Sequence, residues 1–175
     1  MKLKQVGVIG SAGNEEYDFD KPRQEMFKAA FRLGYAVAQT GSVLITGGKG
    51  GVMESACQGA KKAGGITVAE VSALGRGESN KFNDIEVVTG DIAFRGPSQL
   101  VAMSDLIVCV GGGAGTLQEL CVAYRMKKPV IILKGYGGWS DKIAAIEYMD
   151  ERKLVKFTVV DSVQDAVKQL EMMLK

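Results

Sequence analysis

The sequence predicts an α/β protein with a Rossmann-like, doubly wound and mostly parallel sheet of about seven strands flanked by helices. Two observations predict this fold. Short aliphatic runs bounded by glycine recur along the chain, and segments of helical period lie between them. The 175 residues, 46% of them hydrophobic, suffice for one substantial core but hardly for two. We therefore expect residues 1–175 to form a single Rossmann-like domain.

The strand predictions rest on hydrophobicity that is continuous and not alternating. Strands buried on both faces of a parallel sheet have this pattern. The predicted strands are VGVIG (6–10), VLIT (43–46), ITVAEV (66–71), IEVV (85–88), LIVCV (106–110), VIIL (130–133) and FTVV (157–160).

Helices are predicted where apolar residues recur every three or four positions, in segments 27–38, 53–60, 117–124 and 163–174. We interpret these stripes as core, with no role for them in cofactor binding. Strands that alternate with helices indicate right-handed βαβ crossovers. Farther along the chain, the segment KGYGGWSDK (134–142) has two interpretations. It is a turn in which Ser140 caps the following helix, or a further loop at the rim of a ligand site. The polar stretch 72–84 is the one loop long enough to be a lid or a disordered excursion.

Three glycine clusters follow predicted strands, where doubly wound sheets bind ligands. Glycine lets backbone N–H groups approach an anion, and the following helix adds a favourable dipole. The sequence therefore predicts a phosphate or nucleotide site. Its candidate residues are Gly10 and Ser11 of GSAG, Gly47, Gly48, Lys49, Gly50 and Gly51 of TGGKGG, and Gly111, Gly112, Gly113, Gly115 and Thr116 of GGGAGT.

Two common nucleotide motifs are absent from these clusters. No cluster matches G-x-G-x-x-G, and Thr46 and Gly47 stand where a ribose-binding carboxylate would end the second strand, so NAD or NADP binding is disfavoured. Gly48-Lys49 is followed by Gly50 and not by Ser or Thr, so a P-loop that hydrolyses ATP is disfavoured too.

The segments TGGKGGVMESACQGAKKAGG and VGGGAGTLQELCVAYRMKKPVIIL resemble the Lonely Guy superfamily of Rossmann-like nucleotide-binding proteins, often labelled "lysine decarboxylase-like". The superfamily has paired GGxxGxM and GGxGTxxE turns. Within it, this chain is most similar to the branch that includes molybdenum cofactor carrier proteins, with the TGG-x-GGVM turn, the GAKKAGG helix end and a VTG before an arginine. The resemblance covers roughly residues 5–134. Lysine decarboxylation is rejected, because nothing resembles a pyridoxal phosphate lysine site.

The resemblance implies a phosphate or phosphoribosyl group cradled by Gly112 to Thr116. In the enzymatic branch, which removes the base from nucleoside 5′-monophosphates, the motif glutamate and an upstream arginine are the catalytic pair. By motif these are Glu119 and Arg95. Arg95 stands about one residue farther from the next strand than in the family pattern, and Gly96 replaces a basic or amide neighbour. The alternative is therefore a non-catalytic carrier of the molybdenum cofactor, a phosphorylated pterin.

Glu119 has two interpretations from the residues alone. Thr116 to Glu119 fits T-x-x-E, a capping box that would close the first turn of a helix. A carboxylate is also suited to glycosidic hydrolysis, because cleavage of the N-glycosidic bond builds positive charge on the sugar ring. The upstream glycines favour the functional interpretation.

Composition limits the chemistry and the partners. The chain has no histidine, so histidine bases and nearly all zinc sites are excluded, and we predict no metal site. No cofactor is expected to be required for catalysis, and the candidate bound ligands are an AMP-like nucleotide or the molybdenum cofactor. The net charge of +2 without a basic stripe disfavours nucleic acid, including single-stranded DNA.

The three cysteines, Cys57, Cys109 and Cys121, lack CxxC spacing and suit a reducing cytoplasm. No apolar run reaches the roughly 18 residues of a membrane span. We expect a cytoplasmic protein and, from the resemblance, a homodimer or homotetramer.

Overall fold

The computed structural model describes residues 2–13, 23–90 and 97–175. Its strands are β1 (Gln5–Gly10), β2 (Val43–Thr46), β3 (Thr67–Val71), β4 (Ile85–Val88), β5 (Leu106–Val110), β6 (Val130–Leu133) and β7 (Thr158–Val160). They form one sheet in the order β4-β3-β2-β1-β5-β6-β7, with every neighbouring pair parallel. The predicted α/β, Rossmann-like, doubly wound fold is confirmed.

The helices of the described ranges are α1 (Arg23–Gln39), α2 (Val52–Lys62), α3 (Pro97–Met103), α4 (Ala114–Arg125), α5 (Gly138–Ala144) and α6 (Val163–Leu174). Helix α1 packs against α2 and α6 on one face of the sheet, and α4 packs against α3 and α5 on the other. None of these helices is long and apolar enough to cross a membrane.

Each face of the sheet carries its own hydrophobic core, which explains the continuous apolar strands. On β1, Val8 belongs to the core beneath α1, α2 and α6, while its neighbour Ile9 belongs to the core beneath α3, α4 and α5. Successive side chains of a strand point to opposite faces, so a strand covered on both faces must be apolar at every position.

Helices α1 and α2 cross at two glycines. A Cβ on Gly34 would collide with the carbonyl oxygen of Ala56, and a Cβ on Gly59 would collide with that of Phe31. The two backbones therefore touch, and α2, which follows the TGGKGG turn, also packs against β1 and β2.

The order of the strands places a switch point at β1, which lies between β2 and β5. The chain leaves β1 toward β2 on one face of the sheet and leaves β5 toward β6 on the other. The loops after β1 and β5 therefore diverge, and a crevice opens between them at the carboxyl edge. The glycine clusters of the sequence lie at this edge.

Candidate functional site

Three glycine turns meet in backbone contact at the switch point. A Cβ on Gly10 would collide with the carbonyl oxygen of Val110, so β1 and β5 end against each other. The N–H of Val52 donates to the Ser11 carbonyl at 2.9 Å, and a Cβ on Gly51 would collide with the same carbonyl. The structure therefore brings together the predicted GSAG, TGGKGG and GGGAGT residues.

The GGGAGT turn is held in place by α5. The N–H groups of Ser140 and Trp139 donate to the carbonyls of Gly111 and Gly112, at 3.1 and 2.8 Å, and the Gly111 N–H donates to Ser140 Oγ at 2.9 Å. A trans peptide is planar, so the N–H that follows each carbonyl points the opposite way. The N–H groups of Gly112 and Gly113 consequently point away from α5.

Helix α4 begins directly after this turn, with an amino end that no side chain caps within the described residues. Its first turn contains no acidic residue, and Ala114 and Gly115 are exposed. The first N–H bonded back into the helix is that of Leu117, to the Gly113 carbonyl at 3.0 Å. The preceding N–H groups have no partner within the helix, and the helix dipole makes this end attractive to an anion.

The capping-box interpretation of Glu119 is wrong. The helix begins at Ala114 with Gly113 as its N-cap, so Thr116 is the third helical residue and Glu119 lies in the second turn. The Thr116 side chain is buried against Gly112, where an added Cβ would collide with it. Because three glycines precede the helix, the chain enters helical geometry earlier than a Thr116 cap would require.

The amino end of α2 is less suited to an anion. It carries Glu54 in its first turn, and the Val52 N–H is already bonded to Ser11. The Lys49 ammonium lies 3.3 Å from the Glu78 carbonyl and 3.6 Å from the Glu78 carboxylate. Contact between Lys49 and a phosphate stays a prediction, and it requires the lysine to leave Glu78.

The remaining residues of the first two clusters support the turn more than they face a ligand. Ser11 is fully buried, and its hydroxyl accepts the Gly13 N–H at 3.3 Å. A Cβ on Gly47 would approach the Met53 sulfur, and a Cβ on Gly50 would approach the Ala12 carbonyl. The structure therefore places the most open N–H groups at α4.

The long loop 72–84 is fastened to the TGGKGG turn. Asn80 donates its backbone N–H to the Gly48 carbonyl at 2.7 Å and its side-chain amide to the Lys49 carbonyl at 2.9 Å. The Glu86 carboxylate accepts the N–H groups of Gly77 and Ser79, and hydrogen bonding led by Ser79 lowers its pKa to about 2. This loop braces the turn from the β3 side.

Glu119 lies partly buried in the second turn of α4. Removal from water raises the pKa of its carboxyl to about 8, and the negative charge of Glu70 adds to the rise. The thiol of Cys109 in β5 also has a raised pKa, first from burial and then from the charges of Glu119 and Asp141. Glu119 is therefore predominantly protonated at neutral pH.

Sequence reasoning missed Glu70, which is 4% exposed in β3. The signal was present, because a charged residue inside the apolar run ITVAEV is rarely buried without a partner or a role. Arg95, the predicted partner of Glu119, lies outside the described residues.

Two further features bear on the site predictions. No cluster of three or more histidine, cysteine, aspartate and glutamate side chains that could hold a metal occurs among the described residues. A cavity of about 520 Å³ lies between α1 and α2, lined by Gln24, Phe27, Lys28, Phe31, Arg32, Ser55 and Gln58, and contains none of the predicted site residues.

A parallel, doubly wound sheet with glycine turns at its switch point defines the class of Rossmann-like ligand-binding proteins. The chain belongs to the SLOG cluster4 family, whose model matches residues 3–167. The resemblance to the Lonely Guy superfamily and to the molybdenum cofactor carriers is thus confirmed.

Two solved structures are similar over nearly the whole chain. The molybdenum cofactor binding protein of Rippkaea orientalis is 29% identical, with a TM-score of 0.81, and the match covers 100% of this chain and 99% of the other. The Moco carrier protein of Chlamydomonas reinhardtii is 28% identical, with a TM-score of 0.79 and 99% of each chain covered.

A curated relative is an enzyme. The cytokinin riboside 5′-monophosphate phosphoribohydrolase of Mycobacterium tuberculosis is 25% identical over 158 residues, which cover 82% of this chain and 84% of the relative. The chain is thus a SLOG-family protein, similar both to proteins named for binding the molybdenum cofactor and to an enzyme named for a nucleoside 5′-monophosphate.

Proposed function

We propose that this chain binds a small phosphorylated ligand, an AMP-like nucleotide or a phosphorylated pterin cofactor, with the phosphate at the amino end of α4. The observation that carries the proposal is the helix start itself. No side chain of the described residues caps it, its first turn contains no acidic residue, and it follows the amides of Gly112 and Gly113. Such an end offers several N–H donors and a positive dipole to one anion.

Both ligand classes fit this arrangement because they share the phosphate. The names of the similar proteins supply one candidate each, a molybdenum cofactor and a nucleoside 5′-monophosphate. Residues 112–116 would hold the phosphate of either ligand. The organic part would extend over Glu119 toward the carboxyl ends of β2 and β3.

Binding without turnover is the function that the site supports best. A neutral carboxyl at Glu119 neither stabilises a positive sugar ring nor takes a proton from an attacking water. With its pKa raised to about 8 by burial and by Glu70, Glu119 is in the wrong state for either role at neutral pH. This favours a carrier or binding protein of the kind named among the structural neighbours.

Hydrolysis of a nucleoside 5′-monophosphate is the second candidate. Glu119 occupies the motif position of the catalytic glutamate, and the relative from Mycobacterium tuberculosis is a phosphoribohydrolase. In this reading Arg95 would complete the pair and bring Glu119 to its ionised form, because a nearby cation lowers the pKa of a carboxyl.

The experiment combines ligand release with a turnover assay. Small molecules freed by denaturing the purified protein are identified by mass spectrometry, and the intact protein is incubated with a panel of nucleoside 5′-monophosphates. A bound pterin or an unchanged nucleotide supports a carrier. If the wild type releases free base and ribose 5-phosphate and Glu119→Gln does not, the hydrolase is supported. No bound ligand, no binding of molybdenum cofactor and no turnover contradict both.

Assembly and location remain proposals. We propose a homodimer or homotetramer in the cytoplasm, without a nucleic-acid partner. Light scattering coupled to size-exclusion chromatography measures the mass directly, and a monomer at micromolar concentration contradicts the assembly. Retention on a DNA column at physiological salt contradicts the last expectation.

A further inference from the structure

Glu70 is a buried carboxylate at the edge of the candidate site that no glycine motif contains. It is the fourth residue of β3 and is 4% exposed. The preceding residue, Ala69, pairs with Thr46 at the end of β2. Glu70 therefore lies one step farther toward the carboxyl edge, level with Gly47 of the TGGKGG turn.

The side chain of Glu70 lies on the same face of the sheet as Glu119. Residues two apart on a strand share a face, and Val68 belongs to the core that contains Leu120 of α4. Glu70 therefore faces the α3 and α4 side, and its negative charge reaches the Glu119 carboxyl. The two carboxyl groups interact electrostatically, although Glu70 and Glu119 are 49 positions apart in the sequence.

Among the residues that the structure describes, few other ionisable groups lie on the elements that pack against α4. The segments PSQLVAM of α3 and QVGVIG of β1 contain none. Helix α5 supplies Asp141, whose carboxylate accepts the N–H groups of Gly135 and Gly137, and Lys142, whose ammonium lies over the Trp139 ring. Strand β5 supplies the Cys109 thiol, and α4 itself carries Cys121, Tyr124 and Arg125.

We propose that Glu70 is a positioning residue that holds Glu119 in its protonated, hydrogen-bond-donating state, so that the site rests in a binding form and not in a hydrolytic one. Two carboxylates in one poorly hydrated site repel each other, so one ionises and the other keeps its proton. The protonated carboxyl can donate its O–H to a ligand oxygen, whereas an ionised one would repel a phosphorylated ligand. The binding part of this proposal rests on the proposed function, but the protonation of Glu119 does not.

The protonation is tested by carboxyl ¹³C NMR on glutamate-labelled protein, with the Glu119 signal assigned by its loss in Glu119→Gln. In the wild type we expect the signal to titrate near pH 8, because burial and the charge of Glu70 raise the pKa of Glu119. Glu70→Gln lowers the midpoint by about one pH unit or more, but not to the ordinary value, because burial remains. Glu70→Asp, which keeps the charge, retains a raised midpoint.

A Glu119 midpoint that is the same in wild type and Glu70→Gln would overturn the proposal, because burial alone would then explain it. Glu70→Val is the second variant if Glu70→Gln does not fold, since valine suits a buried strand. Circular dichroism establishes which variant is folded before titration.

Ligand binding separates this proposal from the proposed function. The affinity for AMP, measured by calorimetry from pH 6 to 9, is expected to fall as Glu119 ionises near pH 8, and to fall at a lower pH in Glu70→Gln. If the NMR midpoint shifts as expected while neither AMP nor inorganic phosphate binds at any pH, the proposed function fails and the role of Glu70 stands. If AMP binds with the same pH profile in both proteins, the role of Glu70 in binding is overturned.

Discussion

At the scale of single residues, the chemistry of the site depends on what surrounds Glu119. The same T-x-x-E letters could form a helix cap, a catalytic carboxylate or a neutral hydrogen-bond donor. The structure excludes the first, because the helix begins at Ala114, and burial beside Glu70 favours the third at neutral pH. Sequence alone could place Glu119 near the glycines, but it could not show that a strand distant in sequence supplies a second carboxylate.

The raised pKa of Glu119 should make the free energy of unfolding depend on pH. A carboxyl whose pKa is higher in the folded chain binds more protons when folded, so the free energy of unfolding falls as pH rises between the two pKa values. For Glu119 this window runs from the ordinary value of 4.5 to about 8. Glu119→Gln removes this dependence, whose slope is at most about 1.4 kcal/mol per pH unit. The free energy of unfolding of the variant, relative to that of the wild type, should therefore be higher at pH 8.5 than at pH 5.

Urea unfolding at a series of pH values measures this slope. Glu86→Gln is the matched control, because the pKa of Glu86 is lowered to about 2 and its contribution is lost only as pH falls below about 4.5. Equal slopes in wild type and Glu119→Gln between pH 5 and 8 would contradict the environment described for Glu119.

The hydroxyl of Thr116 is predicted to contribute to phosphate binding and not to the capping of α4. This hydroxyl is on the third residue of α4, beside the proposed phosphate, and it does not cap the helix. Thr116→Val keeps the shape and removes the hydroxyl. We expect the affinity for phosphate or AMP to fall about tenfold with little loss of stability, because one hydrogen bond to a charged group is lost.

The control is Ser162→Ala at the amino end of α6, where Ser162 Oγ accepts the Asp165 N–H at 3.1 Å. This variant should lose about 1 kcal/mol of stability and keep its affinity, since a true cap is removed far from the site. Thermal unfolding and calorimetry on both variants give the comparison. A Thr116→Val protein that loses stability like Ser162→Ala but binds normally would contradict the assignment.

At the scale of secondary structure elements, the contact between α1 and α2 fixes the turn that precedes α2. Gly34→Ala would drive a methyl group into the Ala56 carbonyl at the crossing. We expect a loss of about 2–3 kcal/mol or more, because two packed backbones must separate. Gly75→Ala is the matched control, since nothing lies within 4 Å of its added Cβ and it should be nearly neutral. Denaturant midpoints measure both, and equal stabilities would refute the close crossing.

The strands and helices that were predicted from sequence patterns are those whose apolar residues lie in the hydrophobic core. Each of the seven apolar runs is a strand in the described ranges, with ends shifted by at most one residue. The runs are most continuous in strands such as β3, β5 and β6, which are buried on both faces. Helix α3, the seven residues PSQLVAM, was not predicted, because it is too short to show a stripe. Ser140 was expected to cap α5, but Gly137 is the N-cap and Ser140 is buried inside the helix, bonded to Gly111. That role depends on a tertiary contact that no local pattern shows.

At the scale of the whole molecule, the topology explains why separate glycine clusters form one site. Parallel strands place all their carboxyl ends at one edge, and the reversal of direction at β1 opens the crevice there. The sequence was therefore sufficient to predict the fold and to predict that the glycine clusters come together at the switch point. It was not sufficient to show which glycine cluster is best suited to bind an anion. The amino end of α2 carries Glu54 and is bonded to Ser11, whereas the turn before α4 is held by α5 and leaves its N–H groups open.

Binding of a phosphate at the amino end of α4 can be observed at the backbone amides themselves by NMR. ¹⁵N-labelled protein is titrated with inorganic phosphate, AMP and a phosphorylated pterin, and the shifts of backbone amides are followed. We expect at least one probe to shift the amides of Gly112, Gly113, Gly115 and Thr116 most strongly, with smaller effects at Met53 and Glu54 of α2. Saturating probes that leave residues 112–116 unshifted, or that shift the start of α2 instead, would contradict it.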